Sequence, residues 1–108
     1  MAFNEALAAR IRQRLARRKG VREKQMFGIG FLLNGNLCLG VWKRSLVVRL
    51  GPEEAEDALQ EPHVSEFRIR GRSMKGWVLI APEGVEADDQ LTDWIDRAVR
   101  FVGTLPAK

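Results

Sequence analysis

An Asn-Gly pair at positions 34 and 35, set between two apolar runs, constrains this chain more than any other feature. A two-residue reversal of type I′ needs positive φ at both central positions, which Asn and Gly tolerate and most residues resist. The flanking runs, residues 28–33 (GIGFLL) and 36–42 (NLCLGVW), then pair as an antiparallel hairpin with Leu33 opposite Asn36. Lys43-Arg44 is expected to make the next turn, with residues 45–50 as a third strand. If the pairing runs on without interruption, one face carries Leu32, Leu37, Leu39, Val41, Leu46, Val48 and Leu50, the expected core beneath the helices. The other face carries Phe27, Ile29, Phe31, Leu33, Cys38, Trp42, Val47 and Arg49. A sheet with one side in water does not need a second apolar face, so this surplus reads as a surface for a partner.

Helices enclose that sheet. Asn4 is suited to cap a first helix, and Phe3, Leu7, Ile11 and Leu15 recur every fourth residue as an apolar stripe. Arg10, Arg12, Arg14, Arg17, Arg18 and Lys19 fill the remainder, and Gly20 is the expected stop. Pro52 opens a short second helix and Pro62 ends it. Residues 65–70 alternate, with Phe67 and Ile69 inward, and 77–81 form the returning strand. Residues 71–76 (GRSMKG) are expected to be the loop between them. Asp88 is expected to cap a last helix that buries Leu91, Trp94, Ile95, Ala98, Val99 and Val102. The order is α-β-β-β-α-β-β-α, with residues 21–26 extending the first strand. This predicts an α+β, two-layer domain over 1–108, an antiparallel sheet of about five strands packed by helices.

Composition narrows the chemistry. The single cysteine, Cys38, excludes an internal disulfide and fits a reducing compartment, so a cytoplasmic protein is expected. Neither a signal peptide nor a membrane-spanning run is read in the chain. The net charge of +4 hides an asymmetry: residues 1–50 hold 11 Lys and Arg against 2 Asp and Glu, and the remainder holds 7 against 12. That imbalance fits either nucleic-acid contact or solvated helix faces.

Catalytic and metal sites are not expected. One histidine, His63, and one cysteine do not suffice for a zinc site. Cys38 lies mid-strand among apolar residues, where a thiol is an inert small hydrophobe, although the uninterrupted register puts Arg49 opposite it. The acidic groups at 53–57 and 88–93 suit helix starts and lack metal-loop spacing. No cofactor is implied. Two positively charged features remain as anion or nucleic-acid candidates: Arg72 and Lys75 in the glycine-bounded stretch 71–76, and the basic first helix. The chain shows no helix-turn-helix and no exposed aromatic pattern of an RNA-recognition sheet.

Taken in order, residues 23–28 (EKQMFG), 31–36 (FLLNGN), 48–52 (VRLGP with its preceding Val), 71–76 (GRSMKG), Trp94-Ile95 and 105–108 (LPAK) resemble the TfoX/Sxy N-terminal domain family over essentially the whole chain. The resemblance implies a two-layer α/β fold like that of secretion chaperones. It also implies kinship with bacterial regulators of natural competence, which act with the cyclic-AMP receptor protein and carry a further C-terminal helical domain that this chain is expected to lack. Of the matching positions, Lys24, Arg49, Arg72 and Lys75 are those a fold does not require. With Phe31 and Trp42 from the apolar face, they are the expected binding residues. The expected role is a non-enzymatic regulatory or interaction module, acting through a protein partner or a homodimer. The alternative is a nucleic-acid or anion-binding module.

Overall fold

A computed structural model describes residues 4–26 and 28–108. Phe3 and Phe27, assigned above to the helix stripe and to the second sheet face, lie outside the described residues. The elements are α1 (Glu5–Leu15), β1 (Val21–Met26), β2 (Gly28–Leu33), β3 (Asn36–Trp42), β4 (Ser45–Arg49), α2 (Pro52–Ala58), β5 (Val64–Ile69), β6 (Arg72–Ile80), a 3₁₀ turn (Pro82–Gly84) and α3 (Asp88–Val102). The fold is α+β as expected, with one strand more. Residues 21–26 do not extend β2; they form a separate strand that pairs with it. The six strands form one antiparallel sheet in the order β1-β2-β3-β4-β6-β5.

The turns follow local chemistry. Asn34 and Gly35 have φ of 54° and 85° and close the β2–β3 hairpin with Leu33 opposite Asn36, the conformation a type I′ turn requires. Lys43 (φ 57°) makes the β3–β4 turn, with Trp42 opposite Ser45. The stretch 71–76 is not a loop. β6 begins at Arg72, and the reversal is the Arg70-Gly71 pair, with φ of 52° and 79°. Between the Glu66–Val78 and Arg68–Ser73 pairs, Phe67 alone faces Met74, Lys75, Gly76 and Trp77. This wide bulge bends the far half of the hairpin away from the ladder.

A second bulge redistributes the sheet faces. Leu32 pairs with Leu37, but Phe31 pairs with Leu39, leaving Cys38 as an extra residue in β3. Because side chains alternate strictly, one inserted residue swaps the faces on the far side of it. Ile29, Phe31, Leu33 and Cys38 therefore join Leu39, Val41, Leu46 and Val48 in the helix-side core, and Phe31 is 1% exposed. Leu32 and Leu37, expected in that core, stay half-buried on the opposite face.

The helices seal the core side. Asn4 caps α1 through its side-chain oxygen, which accepts from the amides of Ala6 (2.9 Å) and Leu7 (3.2 Å). The helix ends at Leu15, before Gly20. Leu7, Ile11 and Leu15 of α1 and Leu91, Trp94, Ile95 and Val102 of α3 pack onto the sheet. Asp88 is the first residue of α3, not its cap; Gln90 Oε1 instead accepts from the Ala87 amide at 2.9 Å. The Asp88 carboxylate faces α1, at 3.2 Å from Arg10 and 2.9 Å from Arg14. The C-terminal tail clamps the first hairpin: Asn36 Nδ2 donates to the Pro106 carbonyl and the Lys108 amide to that of Asn34, both at 2.9 Å.

Candidate binding cavity

The face of the sheet away from the helices is concave, and all six strands contribute to a cavity within it. Across the middle of the sheet, Gly30 pairs with Gly40 and Gly40 with Val47, so its floor carries almost no side chain. Trp42 on β3 and Phe67 on β5 have two strands between them, about 14 Å in a flat sheet, yet their rings meet edge-on with centroids 5.9 Å apart. The sheet must therefore curl, which brings Phe67, Ile69, Met74 and Trp77 of the β5–β6 hairpin to the same space as the glycine floor. Met26 from β1, Leu37 from β3, and Phe67, Ile69, Met74 and Trp77 from the hairpin enclose about 240 Å³. The lining is apolar throughout.

The hairpin is braced by polar contacts at its outer surface. Ser73 Oγ donates to Glu66 at 2.6 Å and Arg68 to the same carboxylate at 2.8 Å. The serine hydroxyl first, and the Arg68 charge second, hold the Glu66 carboxyl below its usual range. The floor is set by close approach. A Cβ on Gly40 would stand 2.6 Å from the Ile29 carbonyl oxygen, and one on Gly30 would stand 2.7 Å from Met26 Sδ and 2.9 Å from Leu37 Cδ1. The cavity exists because two strands touch backbone to backbone beneath it.

The expected binding residues divide around this geometry. Trp42 borders the concave face, half-buried against Phe67, with Lys43 Nζ 4.9 Å from its ring centroid. Arg49 does not itself line the cavity but touches two residues that do: its guanidinium is 5.7 Å from the Trp77 ring centroid and donates to the Leu37 carbonyl at 3.3 Å. Lys24, exposed on the edge strand, pairs with Gly30 and so points to the same side. Phe31 is separated from them, inside the helix-side core. Arg72 is exposed at the hairpin tip. Lys75, exposed in the bulge, shares a surface recess with Pro52, Glu53, Glu56 and Asp57, acidic company that disfavours an anion there. The apolar face is also less open than the sequence suggested, because Val47 and Phe67 are each 3% exposed under the chain's own hairpin.

The reading from sequence overlooked Met26, Leu37, Met74 and Trp77. Trp77 and Met74 had a usable signal, an aromatic and a methionine beside a glycine in a strand-like stretch, but the bulge that aims them inward leaves no such mark.

The other candidate features serve the fold. Cys38 is 2% exposed, and burial pushes its thiol up to about 12 against the weak opposing pull of Arg18 and Arg49. His63 is exposed. Among the described residues no group of three His, Cys, Asp or Glu is placed to hold a metal ion. In the basic helix, Arg10 and Arg14 are engaged with Asp88, and Arg12 grips Glu23 at 2.7 Å. Arg17, Arg18 and Lys19 stay exposed past its end. Among the described residues no helix is long and apolar enough to cross a membrane.

A family model described as the TfoX N-terminal domain matches residues 13–102. No curated protein and no solved structure matches the chain.

Proposed function

The chain belongs to the TfoX N-terminal domain family, and from that membership we propose a non-enzymatic regulatory or interaction module that acts by binding at its concave face. The observation that carries this reading is the apolar cavity lined by the β5–β6 hairpin. A sheet already packed by helices on one side gains nothing in stability from keeping unfilled apolar volume on the other, so the space is better explained by an occupant. Half-buried Leu32, Leu37, Trp42 and Leu79 and the exposed Met74 surround it with further apolar surface. The partner is a protein or a second copy of the chain. Catalysis has little support, because the buried thiol and the exposed histidine do not converge on an acid–base or nucleophile pair.

Binding of nucleic acid or another anion at 71–76 is the weaker reading, since Lys75 shares its recess with Glu53, Glu56 and Asp57 and Arg72 sits apart at the hairpin tip. A photoreactive residue at Leu79, on the concave side, is expected to cross-link one defined partner in the source cells, while one at Glu56 of α2 does not. Equal adducts at both positions, or adducts at neither, would overturn the reading.

A further inference from the structure

One arginine, Arg49, stands apart from the others. Five arginines of the described chain are half-buried: Arg10, Arg12, Arg14, Arg49 and Arg97. Four of them hold a carboxylate. Arg10 and Arg14 share Asp88, Arg12 holds Glu23, and Arg97 holds Glu61 at 2.7 Å and Asp93 at 3.0 Å. Arg49 has no carboxylate partner among the described residues. Among the described residues its one hydrogen bond is the long one to the Leu37 carbonyl, and its guanidinium also lies over the Trp77 ring. A guanidinium offers five N–H donors in a planar fork that matches a carboxylate. One long bond to a neutral carbonyl uses a single donor of that fork, and an incoming carboxylate offers a charged acceptor to the rest.

Its position gives the inference its content. Leu37 and Trp77, the two residues Arg49 touches, both line the cavity. An occupant resting in the apolar space can therefore place a carboxylate on Arg49 without leaving it. We propose that the cavity is a small-molecule site for an amphipathic monocarboxylate, whose apolar body lies over Gly40 and Val47, beside the Met26 and Leu37 side chains that cover Gly30, and whose carboxylate is held by Arg49. The volume sets the size of the body. An apolar cavity of about 150 Å³ accepts a benzene ring, so 240 Å³ suits a bicyclic aryl group or a short alkyl chain. The apolar lining offers no backbone hydrogen bonds to a peptide, which favours a free small molecule. Met26 and Met74, flexible and polarisable, both line the space and can adapt to differently shaped bodies. This inference goes beyond the partner-binding reading and does not require it.

The test uses octanoate, with octanol and octylammonium as probes of equal length, in titration calorimetry and amide chemical-shift mapping of the full chain. Octanoate is expected to bind at least about tenfold more tightly than octanol, the scale of a charge-assisted hydrogen bond, and octylammonium more weakly than either. Shifts are expected at Gly30, Gly40 and Trp77. Arg49→Gln is expected to reduce octanoate affinity to that of octanol while leaving octanol unchanged. Val47→Phe, which fills the space from the floor, is expected to abolish binding of both, with folding checked by circular dichroism. Equal binding of octanoate and octanol, an Arg49→Gln chain that keeps the preference, retention of binding in folded Val47→Phe, or no binding of any probe would overturn the proposal. The cross-linking result at Leu79 is read separately, so failure of one leaves the other standing.

Discussion

The two faces of the sheet are built from the same strands and come out opposite. On the helix side, Phe31, Leu39, Leu46, Val48 and Ile80 are each at most 1% exposed and close-packed beneath α1 and α3. On the concave side, the corresponding central row is Gly30, Gly40 and Val47; Met26 and Leu37 cover Gly30, and beside them a cavity of about 240 Å³ is left open. The difference teaches that burial and packing are separate properties. Val47 is as hidden from water as the core, yet it borders volume that side chains leave open. One face carries the stability and the other keeps room.

Stability measurements can break or sharpen that contrast. The largest effect is expected for Phe31→Ala, which should lower unfolding free energy by about 3–5 kcal/mol in a urea titration. Val47→Ala, equally buried but beside existing space, should lose about 1 kcal/mol. Equal losses would mean that the concave side is packed as tightly as the core.

A smaller effect distinguishes the two floor glycines. Gly40→Ala drives a methyl against the Ile29 carbonyl, which is backbone and cannot yield, and should lower stability by about 1–3 kcal/mol. Gly30→Ala meets the mobile ends of Met26 and Leu37 and should be milder in the same titration. The reverse order would show a floor that is not held by backbone contact.

The last effect concerns Cys38, is absent at neutral pH and appears only in alkali. Burial raises the folded thiol from 9.0 to about 12. Above the lower value the unfolded chain loses this proton while the folded chain keeps it. Stability is therefore intact below about pH 9 and falls as pH rises towards 12, by up to about 1.4 kcal/mol per pH unit. The midpoint of urea unfolding followed from pH 8 to 10.5 should fall more steeply in the parent than in Cys38→Ala. Parallel curves would place the thiol in water rather than in the core.

The first hairpin was legible in the sequence because its signal is local: Asn34-Gly35 meets the φ requirement of its turn with no help from elsewhere. The α3 face was legible for the same reason, since its apolar period belongs to one helix. Trp42, Val47 and Arg49 were placed on the correct side, but Phe31 was not. The bulge at Cys38 arises because β3 must pair with β2 on one edge and β4 on the other, and no residue type announces which position is skipped. The stretch 71–76 failed similarly. Its glycines suggested one loop, whereas Gly71 serves a two-residue turn and Gly76 (φ 89°) lies within a bulged strand.

By itself, the sequence determined the α+β class, the three helices, the first hairpin turn, the absence of an internal disulfide and the family, because each depends on neighbours along the chain or on matching order. Only the tertiary structure decided which apolar residues became core, that the sheet curls until Phe67 meets Trp42, and that Arg49 touches an apolar cavity's lining with no carboxylate partner among the described residues. Those outcomes depend on pairing between distant strands, where one skipped residue reverses a face, and composition carries no record of the skip.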